Sequence, residues 1–304
     1  MTAISTLAQT LQMQQYMLQD LTQEQTVATQ ISTGQVSSNY AGIAPQASTV
    51  VNLTAQQSQD QAYLGTITTL NTRMSTMSNS MNDIQTLVSQ FAQGFTTDAY
   101  DTSGTSVQTE AQQLLAEVGS DLNVEDGDGY VFSGDQSSSP SFNASALPNP
   151  GSLSTANTAY YGGDDNTLQA QIDQNTTISY GVTADNPAFE QIIRALNFIA
   201  NSGTLSQSNP TDVADVQQAS QLLTNGLSAL QTLQGKLGLQ QSQVATTQTN
   251  LSSTISLGSS ALANIENVNS ATAITQLNTL QTQLEASYQT VNILQQSSLV
   301  NYLK

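Results

Sequence analysis

The chain has 304 residues, enough for a sizeable core, yet only 9% are charged, and 22 acids against four bases leave a net charge of -18. Phosphate neutralisation needs clustered Lys and Arg, so this balance excludes a nucleic-acid footprint and argues against an anionic membrane surface. Neither Cys nor His occurs, which removes thiolate nucleophiles, imidazole bases, disulfides, nearly every structural zinc site, and Ser-His-Asp or Cys-His chemistry.

No basic segment followed by an apolar core opens the chain, so a cleaved secretory signal is not expected. No stretch reaches the roughly 18 uninterrupted apolar residues of a membrane helix. Residues 3–32 read as a helix in which Ile4, Leu7, Leu11, Leu18 and Leu21 hold a seven-residue repeat, with Gln14 and Gln25 where apolar residues belong. Gly34 ends it, and a loop over 37–42 leads to Pro45, which suits a helix start. Ile67, Leu70, Met74, Met77, Met81, Ile84, Val88 and Phe91 then alternate three and four apart, a coiled-coil pattern. Extended back to Pro45, that helix is about 50 residues, or roughly 75 Å at 1.5 Å per residue.

A break over 94–104 precedes a shorter helix carrying Val107, Ala111, Leu114, Val118 and Leu122. From Glu125 to Asn186 the composition turns rich in Gly and Pro. Leu168, Ala170 and Ile172 alternate with polar residues, as do Thr176, Ile178, Tyr180 and Val182, and the Asp173-Gln174-Asn175 turn makes the pair a β-hairpin. Asn186-Pro187 and Asn209-Pro210 are cap-and-start pairs for two more helices. The second has Leu223, Leu230, Leu237, Val244 and Leu251 at intervals of seven, while its companion positions include Gln234, Gln241 and Gln248. Those amides weaken the seam and restrict its register. After a short link at 267–270, Leu277, Leu280, Leu284, Tyr288, Val291, Leu294, Leu299 and Tyr302 form one stripe of a terminal helix.

The expected fold is mainly α with a small β-rich insertion: a long antiparallel helical, coiled-coil rod formed by N- and C-terminal arms. Its expected parts are an assembly helix and loop (1–44), a long arm (45–124), a β-rich tip (125–186), a second long arm (187–266) and a terminal assembly helix (267–304). A lone helix with a broken seam is marginal in water. Both ends are therefore expected to pack on something else, through Ile4, Leu7, Leu11, Leu18 and Leu21 at one end. At the other end the expected residues are Leu277, Leu280, Leu284, Tyr288, Val291, Leu294, Leu299 and Tyr302.

Several stretches resemble one family in the right order. Ile4-Ser5-Thr6, Gln30-Ile31-Ser32-Thr33-Gly34, Leu284-Glu285-Ala286-Ser287-Tyr288 and Ser298-Leu299-Val300-Asn301-Tyr302-Leu303 are similar to the terminal regions of the bacterial flagellin family. Gly129-Tyr130-Val131-Phe132-Ser133-Gly134, Tyr161-Gly162-Gly163-Asp164 and Gly181-Val182 through Phe189 resemble landmarks of its hook-associated junction members. The chain departs from the pattern at Gln35, where the family often has a basic residue, and at Asn39-Tyr40, where paired acids are common. The resemblance implies a structural axial protein of the flagellum, without catalysis or cofactor, exported without a cleaved signal through the flagellar type III channel. It implies a place between hook and filament, with other copies of itself, a neighbouring hook-associated protein, flagellin and an export chaperone as partners. A filament-forming flagellin or flagellin-like surface protein is the nearest alternative.

Other residues suggest other chemistry. Asp126-Gly127-Asp128-Gly129 beside Glu125 reads as an acidic turn, since a calcium loop needs a fuller ligand set. Asp164-Asp165 near Asp135 carries too little pattern for a glycosidase pair. Met74, Met77 and Met81 read as seam residues over a binding stripe. Tyr160, Tyr161 and Tyr180 would offer stacking surfaces if the chain were a secreted binding module with a ligand-holding β insertion.

Overall fold

The computed structural model describes residues 2–101, 107–149 and 151–302. Six α-helices account for most of it: α1 (Thr2–Thr33), α2 (Ala47–Asp98), α3 (Val107–Leu122), α4 (Pro187–Asn201), α5 (Pro210–Glu266) and α6 (Ser270–Tyr302). Two antiparallel hairpins lie between α3 and α4: β1 (Glu125–Asp126) with β2 (Gly129–Tyr130), and β3 (Leu168–Asp173) with β4 (Thr176–Tyr180). The chain divides into two compact units, residues 1–58 with 254–304, and residues 59–253.

The larger unit is built on the heptad seams. Ile67, Met74, Met77, Met81, Ile84 and Val88 of α2 are all fully buried, as are Leu223, Leu230 and Val244 of α5. The three methionines are thus core and present no binding stripe. Amides that interrupt the α5 seam meet amides of α2: Gln234 Nε2 donates to Asn82 Oδ1 at 2.9 Å, and Asn71 Nδ2 to Gln248 Oε1 at 3.4 Å. These amides lie at the half-buried to exposed edge of the seam, and a slip would break both pairings. These pairings also show the two helices running antiparallel.

α2 ends later than its glycine suggests. Gly94 lies inside the helix, which runs on to Asp98 because Phe95 is buried and stacks on Phe91 with ring centres 5.6 Å apart. It also begins at Ala47, two residues after Pro45, with Gln46 N donating to Ile43 O. Burial of a large aromatic outweighs the roughly 1 kcal/mol cost of a helical glycine.

α3 and α4 pack on each other and on the insertion. Asn186 caps α4, its Oδ1 accepting from Ala188 N at 3.1 Å, and Pro187 fills the first turn. Gly119 of α3 lies so near Phe142 that an added Cβ would come within 2.5 Å of its ring. Asn123 holds the same residue, exchanging hydrogen bonds with the backbone of Phe142 at 2.8 and 2.9 Å. Phe132 meets Phe189 edge-on at 5.6 Å, and Tyr160, fully buried, donates its hydroxyl to Ala184 O at 2.9 Å.

The insertion is tied to α2 by the one arginine of that helix. Arg73 Nη1 reaches both carboxylate oxygens of Asp126 at 3.1 Å, and Nη2 donates to Tyr130 O at 2.9 Å. Both side chains are about 95% buried. Asp126 Oδ1 also accepts from Asp128 N at 2.9 Å, so the acidic turn is committed to a guanidinium. Gly129 closes this turn at φ +107°, where an added Cβ would lie 2.3 Å from Ser137 O.

Candidate assembly interface

The smaller unit is where the predicted interface residues lie. α1 and α6 run antiparallel, joined where Val36 N donates to Glu266 O at 2.7 Å and Val268 N to Gly34 O at 2.9 Å. Gly34 ends α1 in the left-handed region at φ +74°, its N–H on Gln30 O, the αL termination that only glycine makes without strain. Val27, Ala273 and Leu280 form a small core, with Ile31, Val268 and Leu277 packed on it. Gln281 Nε2 donates to Glu24 Oε1 at 3.1 Å further along.

On α6 the predicted stripe divides in two. Leu280 and Leu284 are buried and Leu277, Val291 and Leu294 half-buried, on the face toward α1, while Tyr288 is 54% exposed. On α1 the predicted stripe is the open one: Leu11 is 55%, Leu18 63% and Leu21 38% exposed. Ile4, Leu7, Leu299 and Tyr302 lie outside the residues whose side chains are described.

α1 therefore has a second apolar stripe that the sequence reading missed. Met13, Met17, Val27 and Ile31 are the covered residues, with Asp20 and Glu24 between them. Positions 17, 24 and 31 form a seven-residue series one place before that of Leu11 and Leu18, and positions 13, 20 and 27 form another one place before that of Leu21. The signal was in the sequence, hidden by the two acids. Helix α1 thus spends its acid-interrupted face within the chain and leaves its leucine face open.

The open face is nearly uncharged. The unit holds four acids, Asp20, Glu24, Glu266 and Glu285, and one base, Lys304. Its threonines turn inward: Thr22, Thr26, Thr29 and Thr33 of α1 each donate to the carbonyl four residues back, at 2.8–2.9 Å, and Thr275, Thr279, Thr282 and Thr290 do the same on α6. A shallow groove lined by Gln23, Thr272, Thr275, Gln276, Thr279 and Leu280 lies along α6. Covering Leu11, Leu18 and Leu21 from their present exposure would yield about 3 kcal/mol per subunit at 1.5–3 kcal/mol for each full leucine burial.

The remaining candidate residues belong to the larger unit. Asp164 ends a loop, accepting from Asp135 N at 2.9 Å and Asn166 N at 3.2 Å. The neighbouring Asp185 carboxyl raises the pKa of Asp165 above the usual carboxylate range, first by favouring a shared proton and then by its charge. Tyr161 donates its hydroxyl to Asp164 O at 2.6 Å, Tyr160 is enclosed, and Tyr180 is half-buried with a hydroxyl pKa raised chiefly by burial. Tyr160 is thus part of the core, while Tyr161 and Tyr180 are partly covered. Among the described residues no group of three or more acidic side chains is placed to hold a metal ion, and no helix is long and apolar enough to cross a membrane.

Residues 220–303 match the sequence model of the bacterial flagellin C-terminal helical region. No curated protein matches the chain. Among solved structures, a proposed flagellar hook-associated protein from Vibrio parahaemolyticus superposes with a TM-score of 0.59 at 14% identity, covering 75% of this chain and 99% of that one. FlgL from Bacillus cereus does so with a TM-score of 0.50 at 14% identity, covering 66% and 98%. The chain is flagellin-like: its C-terminal helices match the flagellin helical region, and its fold is that of flagellar hook-associated proteins.

Proposed function

We propose that this chain is a structural subunit of the flagellar axis at the junction of hook and filament, joined to its neighbours through the open face of its terminal helices. The observation that carries the reading is the double-striped α1, with Leu11, Leu18 and Leu21 exposed beside a filled seam on α6. An apolar face on a terminal helix is best buried by another copy, and contacts of this head-to-tail kind repeated by a screw operation build a tube. The partners are other copies of this chain, a neighbouring hook-associated protein and flagellin. Export runs through the flagellar type III channel with an export chaperone, to an extracellular place on the flagellum. The role is mechanical and involves no catalysis.

The test is complementation of a strain lacking the gene. Wild-type chain should restore filaments on bare hooks. A variant with Leu11, Leu18 and Leu21 changed to Gln should fold with unchanged helicity yet leave hooks bare and flagellin in the medium. Filament attachment by that variant, present at normal level, would overturn the proposal. Growth of long filaments from seeded wild-type subunits would favour a flagellin proper.

A further inference from the structure

We propose that Asp60 is an acid-operated latch: protonated, it lets the turn end of the β3–β4 hairpin settle on α2, and ionised, it drives that end off. The proposal does not rest on the assembly reading. Asp60 occupies a core position. It continues, seven residues earlier, the series Ile67, Met74, Met81 and Val88, all fully buried, and is itself only 8% exposed. Its Oδ2 is shut off from solvent and has no hydrogen-bond partner. A carboxylate is costly in such a place unless a cation or a donor meets it.

The hairpin lies along α2 from Arg73 to Asp60. At one end the charge of Arg73 reaches the Tyr180 hydroxyl, and at the other the charge of Asp173 reaches Asp60. Thirteen helical residues span about 20 Å, close to the length of a six-residue strand at about 3.3 Å per residue. Ile172 and Ile178 are buried beneath it, and Gln240 Nε2 donates to Ser179 O at 2.6 Å. The Asp173 carboxyl is held in the turn, where its Oδ1 accepts from Gln174 N at 2.6 Å. One end of the hairpin therefore rests beside a base, and the other sets acid against acid.

No base is near Asp60. It is the one charged residue of α2 before Arg73, and Tyr63, one turn on, accepts from Gln59 Nε2 at 2.9 Å. Asp173 is the one charged residue of the hairpin, and α5, which pairs with α2, has none from 237 to 265. A hydrated metal ion cannot reach an oxygen without accessible surface, whereas a proton needs no room. Burial, then the charge of Asp173, raises the Asp60 pKa above its ordinary 3.8. The folded hairpin thus holds the proton more tightly than the open one. The stability this adds is full below about pH 3.8 and is lost as pH rises through the raised value.

The experiment follows the full chain by NMR between about pH 3 and 7, reading the Asp60 carboxyl carbon and the hydrogen exchange of amides 171–177, corrected for intrinsic rates. The carboxyl should titrate above 3.8, and the amides should lose protection across the same midpoint. Asp60→Asn, equal in shape but uncharged, should keep the acid-state protection throughout. Asp173→Asn should lower the Asp60 midpoint and shrink the loss. If Asp60→Asn does not fold, the wild-type carbon titration and Asp173→Asn decide. An Asp60 midpoint at or below 3.8, protection that does not change across it, or the same loss in Asp60→Asn would each overturn the proposal.

Discussion

Replacing Arg73 by Met tests how the insertion is attached to α2. The guanidinium makes two 3.1 Å contacts with Asp126 and one 2.9 Å bond with Tyr130 O. Without it, Tyr130 O still accepts from Ser133 Oγ at 3.1 Å, whereas the Asp126 side chain, 4% exposed, keeps only the Asp128 N–H. The cost therefore falls on one stranded carboxylate and should be about 3–5 kcal/mol. Chemical unfolding in urea, followed by tyrosine fluorescence, reads it, because Tyr130, Tyr160, Tyr161 and Tyr180 all lie in the insertion and the chain has no Trp. The midpoint of the larger unit should fall by about 1.5 M. The double change Arg73→Met with Asp126→Leu should recover most of the loss, since an apolar pair of similar volume is often neutral in place of a buried ion pair. A single-variant cost below about 1 kcal/mol, or strictly additive effects in the double variant, would refute the reasoning.

Three further outcomes follow from particular contacts. Burial, then the charges of Asp83 and Glu117, raise the Asp121 pKa to about 6. The folded state therefore holds that proton more tightly than the unfolded one, and the stability it contributes is full below about pH 3.8 and lost as pH rises to about 6. Asp121→Asn should flatten that slope and raise stability at pH 7 by about 1 kcal/mol after allowance for solvent screening, seen in unfolding midpoints across pH 4–8. Leu280→Ala should cost about 2 kcal/mol or more in the thermal unfolding of the terminal helices, while Leu18→Ala should stay within about 0.5 kcal/mol in the isolated subunit. Gly119→Ala should cost about 1–3 kcal/mol by pressing a methyl group into the Phe142 ring, read by the same urea unfolding.

The long helices were legible because their signals are redundant. Ile67 through Phe91 repeat the seam interval many times, and the Asn-Pro pairs at 186 and 209 mark starts with the cap and the first-turn residue together. Gly94 misled because local propensity gives way to a distant partner, here Phe95 stacked on Phe91. The Arg73–Asp126 bond joins residues 53 positions apart, and no spacing rule reaches that far. At the interface, periodicity picked out the leucine stripe of α1, which is open in the subunit, and missed the second stripe, which packs against α6 within the chain. Asp20 and Glu24 make that stripe look like a solvent face, although the α6 residues opposite, Leu280 and Leu284, are the ones that are buried.

The inward-turned threonines of α1 and α6 have a consequence for desolvation. Each hydroxyl proton is already engaged by a carbonyl of its own helix, so covering these threonines strands no hydroxyl donor. Nor does it require ion pairs to be made or broken. Association through such surfaces should vary little between about 50 and 500 mM ionic strength, a range over which the Debye length shrinks about threefold. A joint of this kind would hold equally well in fresh and in brackish water.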